Sequence, residues 1–159
     1  MIIPFELNGK TVYIDSNPGE RLVHILRRRF GLLSMKEGCL SGRCGSCMVL
    51  MNGTPVPSCI IPVFQVRNAE IVTLEEFSKT ADCRDIEEGF ASAGVTMCGF
   101  CNAGKILIAH SILNGNLRPA KEEIREMFSG NMCRCTSMDE LVAGVKNAAS
   151  LRRTRQNVK

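Results

Sequence analysis

The stretch Gly38-Cys39-Leu40-Ser41-Gly42-Arg43-Cys44-Gly45-Ser46-Cys47 holds three of the nine cysteines in a chain of 159 residues. Glycines interleaved with the thiols rule out a regular helix or strand here. They describe a loop that needs positive φ angles and brings its backbone close to the sulfurs, both of which glycine permits. Working outward, Cys59 completes a first set, Cys39-x4-Cys44-x2-Cys47-x11-Cys59. A second set follows after a long gap: Cys98-x2-Cys101-x31-Cys133-x-Cys135. Cys83 alone stands outside both, in a polar segment, and reads as a free thiol whose reactivity depends on its exposure.

Metal ligation explains this usage better than disulfides do. The opening Met1-Ile2-Ile3-Pro4-Phe5-Glu6-Leu7 has no basic start, long apolar run or small-residue cleavage site. No apolar stretch reaches the roughly 18 residues that span a bilayer. A cytoplasmic, membrane-free location is therefore expected, where thiols stay reduced, and an odd cysteine count fits no complete disulfide framework.

Four thiolates per set is the number that closes a [2Fe-2S] cluster. The opening C-x4-C-x2-C is the spacing of plant-type ferredoxins, but Cys59 arrives much sooner than the fourth ligand of such a ferredoxin. Loop amides pointed at the sulfurs would stabilise the reduced, more negative cluster. In the second set, Cys98-Gly99-Phe100-Cys101 precedes a helix whose positive end favours thiolates, and Cys133-Arg134-Cys135 occupies a turn between further helices. Structural zinc is the alternative, because C-x2-C pairs suit it too; zinc sites, however, usually pair two such knuckles or include histidine.

The first half reads as strands and turns. Alternation in Phe5-Glu6-Leu7 and in Val12 and Ile14 flanks Asn8-Gly9, a hairpin signal. Met48-Val49-Leu50-Met51 turns through Asn52-Gly53 into Thr54-Pro55-Val56 in the same way, and Ile71-Val72-Thr73-Leu74 reads as another strand. Asn17-Pro18-Gly19 is a turn, and Arg21 to Phe30 is a helix with Leu22, Val23, Ile25 and Leu26 on its apolar side. A small mixed sheet crossed by one helix accounts for this half.

A polar stretch, 78–84, reads as a linker, and helical periodicity dominates beyond it. Ile86 and Phe90 belong to one helix; Ile106, Leu107, His110 and Leu113 to the next, over Gly104 to Leu113. Pro119 suits a first helical position, with Glu122 and Glu123 in the early turns and Gly130 after the end. Ser137-x-x-Glu140 is a capping box for the last helix, which is expected to fray into a basic tail. The fold class is α+β: a sheet domain over residues 1–77 and a helical domain over 85–159.

These sets, in this order, resemble the iron–sulfur subunit of the molybdenum hydroxylases, the xanthine dehydrogenase, aldehyde oxidase and carbon monoxide dehydrogenase type. The matching segments are Lys36-Glu37-Gly38-Cys39, Gly42-Arg43-Cys44-Gly45-Ser46-Cys47, Cys59, Cys98-Gly99-Phe100-Cys101 and Ser129-Gly130-Asn131-Met132-Cys133-Arg134-Cys135-Thr136. The resemblance implies a β-grasp, ferredoxin-like N-terminal domain and a four-helix C-terminal domain, each with one [2Fe-2S] cluster.

It implies an electron relay with no substrate site on this chain. The molybdenum–pterin lies on a large partner subunit and FAD on a medium one. Cys98, Cys101, Cys133 and Cys135 would hold the cluster near the pterin, with Cys135 closest to it. Cys39, Cys44, Cys47 and Cys59 would hold the cluster on the flavin side. A purine such as xanthine is the leading substrate for the complex, with aldehydes, nicotinate and carbon monoxide as alternatives; a free-standing two-cluster carrier is a second reading.

The chain departs from the family pattern at Met97, where glutamine is usual, at Ala103 in place of proline, and at Ser137-Met138 in place of Gly-Tyr. All three lie around the pterin-side cluster. The Arg27-Arg28-Arg29 run is a fourth departure; it and the tail Arg152-Arg153-x-Arg155 read as solvated faces or subunit-docking sites. His110 reads as a packed histidine, and His24 has no evident partner. Nucleic acid is not an expected partner, with one Tyr, no Trp and no aromatic-basic motif. The formal charge of +4 has another explanation, since two ferric ions, two sulfides and four thiolates carry about −2 per oxidised cluster.

Overall fold

The computed structural model describes residues 1–158. Strands β1 (Ile2–Leu7), β2 (Lys10–Asp15), β3 (Met48–Met51), β4 (Thr54–Pro57) and β5 (Glu70–Val72) form one mixed sheet in the order β2-β1-β5-β3-β4. β1 runs parallel to β5, and the other pairs are antiparallel. Both expected hairpins form. Asn8 and Asn52 (φ 52° and 50°) precede Gly9 and Gly53 (φ 76° and 79°), the left-handed pair that matches the twist of a two-residue hairpin. β5 stops at Val72, earlier than expected. Asn8 takes over from the ladder there: its Oδ1 accepts from the Thr73 amide at 2.8 Å, and Thr73 enters a short helix, α2 (Leu74–Phe77).

Alternation along the strands divides the sheet between two cores. Ile3, Phe5, Leu7, Val49 and Ile71 face α1 (Leu22–Arg29), which buries Leu22, Val23, Ile25 and Leu26 against them. Met48 and Leu50, the intervening residues of β3, point the other way into the helical core. A strand covered on both faces has no polar side to present, so β3 reads Met-Val-Leu-Met.

The helical part comprises α3 (Ala81–Ser92), α4 (Asn102–Gly115), α5 (Lys121–Met127) and α6 (Met138–Asn157). The expected linker is shorter than 78–84, because Thr80 caps α3 by accepting the Cys83 amide on Oγ1 at 3.1 Å. Helix α4 is apolar on all sides, with Ile106, Leu107, Ile108, Ala109, Ile112 and Leu113 buried; it lies between the sheet and the other helices, and such a position demands that composition. Pro119 lies one residue outside the α5 cap instead of at its first position; Glu123 reaches back to the Ala120 amide at 3.3 Å. The Ser137–Glu140 capping box of α6 is present as expected. Among the described residues, no helix is long and apolar enough to cross a membrane.

The basic tail differs from its expected form. α6 continues to Asn157, and Arg152 is only 2% exposed. Arg152 lies 3.6 Å from Asp82 and 3.8 Å from Asp85, and Arg155 donates to Asp85 at 2.7 and 2.9 Å. The compensating carboxylates sit on α3, about seventy positions earlier, where a local reading does not find them. His110 packs against Phe77 with ring centroids 4.6 Å apart, and burial, helped by Arg152, holds its imidazole below the ordinary value. Removing one partner from a buried charge cluster typically costs about 3–5 kcal/mol. Asp85→Ala is therefore expected to lower the chain's unfolding free energy by about 3 kcal/mol, read as a fall in denaturant midpoint. An unchanged midpoint would mean the cluster contributes nothing to stability.

The arginine run on α1 also acts locally. Arg27 donates to the Met35 carbonyl at 2.7 Å and lies 3.5 Å from Glu37, while Arg29 donates to the Asp15 carbonyl at 2.6 Å. Only Arg28 fits the solvated role without qualification. Glu37 is also the neighbour of His24, at 4.0 Å.

Candidate metal centres

The first cysteine loop is wound by its own backbone. The amides of Ser41, Arg43 and Cys44 all point at the Cys39 sulfur, at 3.4, 3.3 and 3.3 Å. The Cys39 amide approaches the Cys44 sulfur at 3.4 Å, and the Gly42 amide the Cys59 sulfur at 3.3 Å. With the Ser41 hydroxyl the leading contributor, these donors lower the Cys39 thiol to about 5. Gly38 is required by space: a Cβ there would lie 2.7 Å from the Ser46 hydroxyl and 2.9 Å from the Cys44 sulfur. Cys47 immediately precedes β3 and Cys59 follows β4, so the second hairpin brings them together; Ser58 locks the ends by donating its amide and hydroxyl to the Cys47 carbonyl at 3.1 and 2.6 Å.

The second set meets at the start of α4. Cys101 is the N-cap of that helix, and Cys133 and Cys135 lie in the turn leading to α6. The thiol of Cys98 neighbours that of Cys135, and that of Cys101 neighbours Cys133. The Phe100 amide is the leading cause that lowers the Cys98 thiol. Burial pushes Cys47 and Cys101 up to about 12. Such buried thiols become ligands only when a cation replaces the proton, and metal coordination deprotonates them outright.

Both sets suit a binuclear group better than one ion. Cys47 lies against Cys59, Cys98 against Cys135 and Cys101 against Cys133. A tetrahedral zinc site asks for four donors around one point, whereas [2Fe-2S] takes four thiolates over two irons. The loop amides aimed at sulfur are the hydrogen bonds such a cluster uses.

The two sets touch through their backbones. The Met132 amide donates to the Cys44 carbonyl at 2.9 Å, joining the residue before Cys133 to a residue of the first set. A Cβ on Gly104 would lie 2.4 Å from the Gly45 carbonyl oxygen, and one on Gly45 would lie 2.4 Å from the Gly130 oxygen. Asn131 is wedged between these glycines, 7% exposed, with both carboxamide atoms unpaired in the protein. An orphaned amide between two sets of thiols fits a site completed by a sulfur-rich group.

Three residues around the second set escaped sequence reasoning. Phe100 and Met132 are exposed apolar side chains, 54% and 68% accessible, beside the exposed Cys98 and Cys135. Lys105 is completely buried; its ammonium donates to the Thr96 carbonyl and, at 3.1 Å, to the Thr136 hydroxyl. The available signal was a lysine four positions after Cys101, immediately before an unbroken apolar run.

The departures from the family pattern have local explanations. Met97 and Met138 pack on the helical core, Ala103 is buried, and Ser137 caps α6. Cys83 is buried and pushed up to about 12 by desolvation, which makes it an unreactive bystander.

Two family models match the chain, one described as a 2Fe-2S iron–sulfur cluster binding domain over residues 12–87 and the other as a [2Fe-2S] binding domain over residues 73–146. The small FeS subunit of nicotinate dehydrogenase from Eubacterium barkeri is 40% identical over 92% of this chain and 93% of its own length. The xanthine dehydrogenase iron–sulfur-binding subunit of Escherichia coli O157:H7 is 36% identical, covering 86% of both chains. In the structure of quinoline 2-oxidoreductase from Pseudomonas putida 86, one chain superposes with a TM-score of 0.87 at 35% identity, covering 97% of this chain and 96% of that one. With two [2Fe-2S]-binding domains in series and a likeness spanning nearly its whole length, this chain belongs to the iron–sulfur subunits of the molybdenum hydroxylase family.

Proposed function

We propose that the chain relays electrons from a molybdenum–pterin subunit towards FAD or another acceptor. Cys98, Cys101, Cys133 and Cys135 hold the cluster on the molybdenum side, and Cys39, Cys44, Cys47 and Cys59 hold the cluster on the acceptor side. When bound, each cluster supplies a one-electron store. Everything else is positioning: the loop amides orient and stabilise thiolates, and the Met132–Cys44 hydrogen bond keeps the two ligand sets in contact. The single observation that carries this reading is that contact, since two separate zinc-type staples would have no reason to abut.

The division between the two cluster domains falls between Phe77 and Ala81. Phe100 and Met132, apolar and exposed beside the molybdenum-side ligands, mark the face that meets the large subunit; burying such side chains is what a stable interface uses. FAD belongs to a further partner. A cytoplasmic complex is part of the same proposal, supported by the reduced thiols that such ligands require.

For the substrate, we infer a nitrogen heteroaromatic ring hydroxylated on the large subunit. Xanthine is one member of that class, and the names of the similar proteins, which include nicotinate and quinoline enzymes, favour the class over any one compound. Purification of the complex from its native host tests both levels. Co-purifying molybdenum and flavin chains, with turnover of an N-heterocycle, is the expected result. A chain that elutes alone, loaded with iron and sulfide, would instead support the free-standing carrier.

A further inference from the structure

Lys105 is the one buried cation near the second set of thiols, and its surroundings leave its charge largely uncompensated. Its side chain is 0% exposed. Its ammonium is held by the Thr96 carbonyl and the Thr136 hydroxyl. Thr96 lies two residues before Cys98 and Thr136 directly follows Cys135, so Lys105 ties together the two segments that carry the second set. Among the described residues, no carboxylate lies within ion-pair distance of it. Glu140, a carboxylate that feels its field, is engaged by the Ser137 amide and hydroxyl at 2.6 and 2.9 Å.

A buried ammonium without a counter-charge is costly. The negative charge within its reach is that of the thiolates: Cys98, Cys101, Cys133 and Cys135 all experience the field of Lys105. Backbone amides point at sulfurs in both sets, but among the described residues the other buried cation, Arg152, pairs with Asp82 and Asp85, so only the second set has a buried cation of its own.

We propose that Lys105 is a positioning and charge-compensating residue for the second cluster, raising its electron affinity relative to the first. This rests on the ligand assignment given under Proposed function. The physical reason is Coulombic. Reduction adds one electron and one negative charge, with no bond made or broken and no proton moved. A fixed positive charge in a poorly screened interior therefore favours the reduced state, and net charge is among the quantities that set the potential of an iron–sulfur centre.

The test is an EPR-monitored redox titration of the full chain carrying its clusters, comparing wild type with Lys105→Met, Lys105→Gln and Lys105→Arg. The two signals are assigned from variants lacking a ligand of one set. In the Met and Gln variants the second cluster is expected to lose about tenfold in electron affinity, which is about 59 mV for one electron. The Arg variant stays near wild type, and the first cluster is unmoved in all three. If Met and Gln fail to take up the second cluster while Arg retains it, the compensating charge is likewise supported.

Unshifted potentials in Met and Gln chains with full iron content overturn the proposal and leave the ligand assignment intact. Equal shifts of both clusters, or loss of the second cluster in all three variants, overturn it in favour of a packing role. A wild-type chain without [2Fe-2S] signals overturns the ligand assignment itself.

Discussion

Replacing Cys101 by alanine is expected to halve the iron and sulfide of the purified chain, from about four of each to about two, the content of one [2Fe-2S] cluster. Cys101 is 3% exposed and caps α4, within reach of Cys133. The substitution removes a sulfur without adding bulk, so loss of the ligand dominates over repacking. No spare thiol stands ready, because the ninth cysteine, Cys83, is fully buried in α3. The first set, on its own loop and hairpin, keeps its four ligands. One EPR signal should vanish and the other persist with its g-values unchanged. Retention of four iron atoms would remove Cys101 from the ligand set. Loss of both signals would show that the two centres assemble as one unit.

Gly104→Val is expected to be strongly damaging. The added Cβ would lie 2.3 Å from the Asn131 amide nitrogen and 2.4 Å from the Gly45 carbonyl oxygen. The second obstacle is backbone, which cannot swing aside as a long side chain does, so the two ligand loops must separate. Overpacking typically costs about 1–3 kcal/mol; with backbone on the opposing side, about 3 kcal/mol is expected here. The lesion has a local signature. The Met132 amide, bonded to the Cys44 carbonyl at 2.9 Å, should exchange its hydrogen much faster, because that bond crosses the contact being opened. Gly115→Ala serves as the control, since a Cβ there meets nothing within 4 Å, and a slight gain in stability is expected from the reduced freedom of the unfolded chain. Equal behaviour of the two variants would mean that the contact between the loops is dispensable.

Local chemistry made most of the fold readable. Two Asn-Gly pairs determine two hairpins because their backbone preferences match the turn regardless of what packs around them. Leu22, Val23, Ile25 and Leu26 mark α1 by periodicity alone. The Ser137–Glu140 box marks the start of α6 because both partners lie within one turn. One error fell where a distant residue decides, since β5 ends where Asn8 captures Thr73; another was local, since the polar composition of 78–84 hid the Thr80 cap that starts α3. The basic tail becomes a buried ion cluster through Asp82 and Asp85, and the Met-Val-Leu-Met of β3 has its reason in α4, which covers its second face.

The chemistry divides along the same line. Cysteine number, spacing and interleaved glycine suggested the two proposed donor sets and pointed to the class of cofactor, because a short loop allows its thiols few arrangements. What those donors feel was decided only by the tertiary structure. Lys105 is an ordinary lysine in sequence and, in space, a buried cation whose field reaches four thiols. Gly45 and Gly104 are nearly sixty positions apart, and they touch because each lacks a side chain. Electrostatic fields and close contacts depend on distance through space, so the identity of the ligands is local information and their tuning is not.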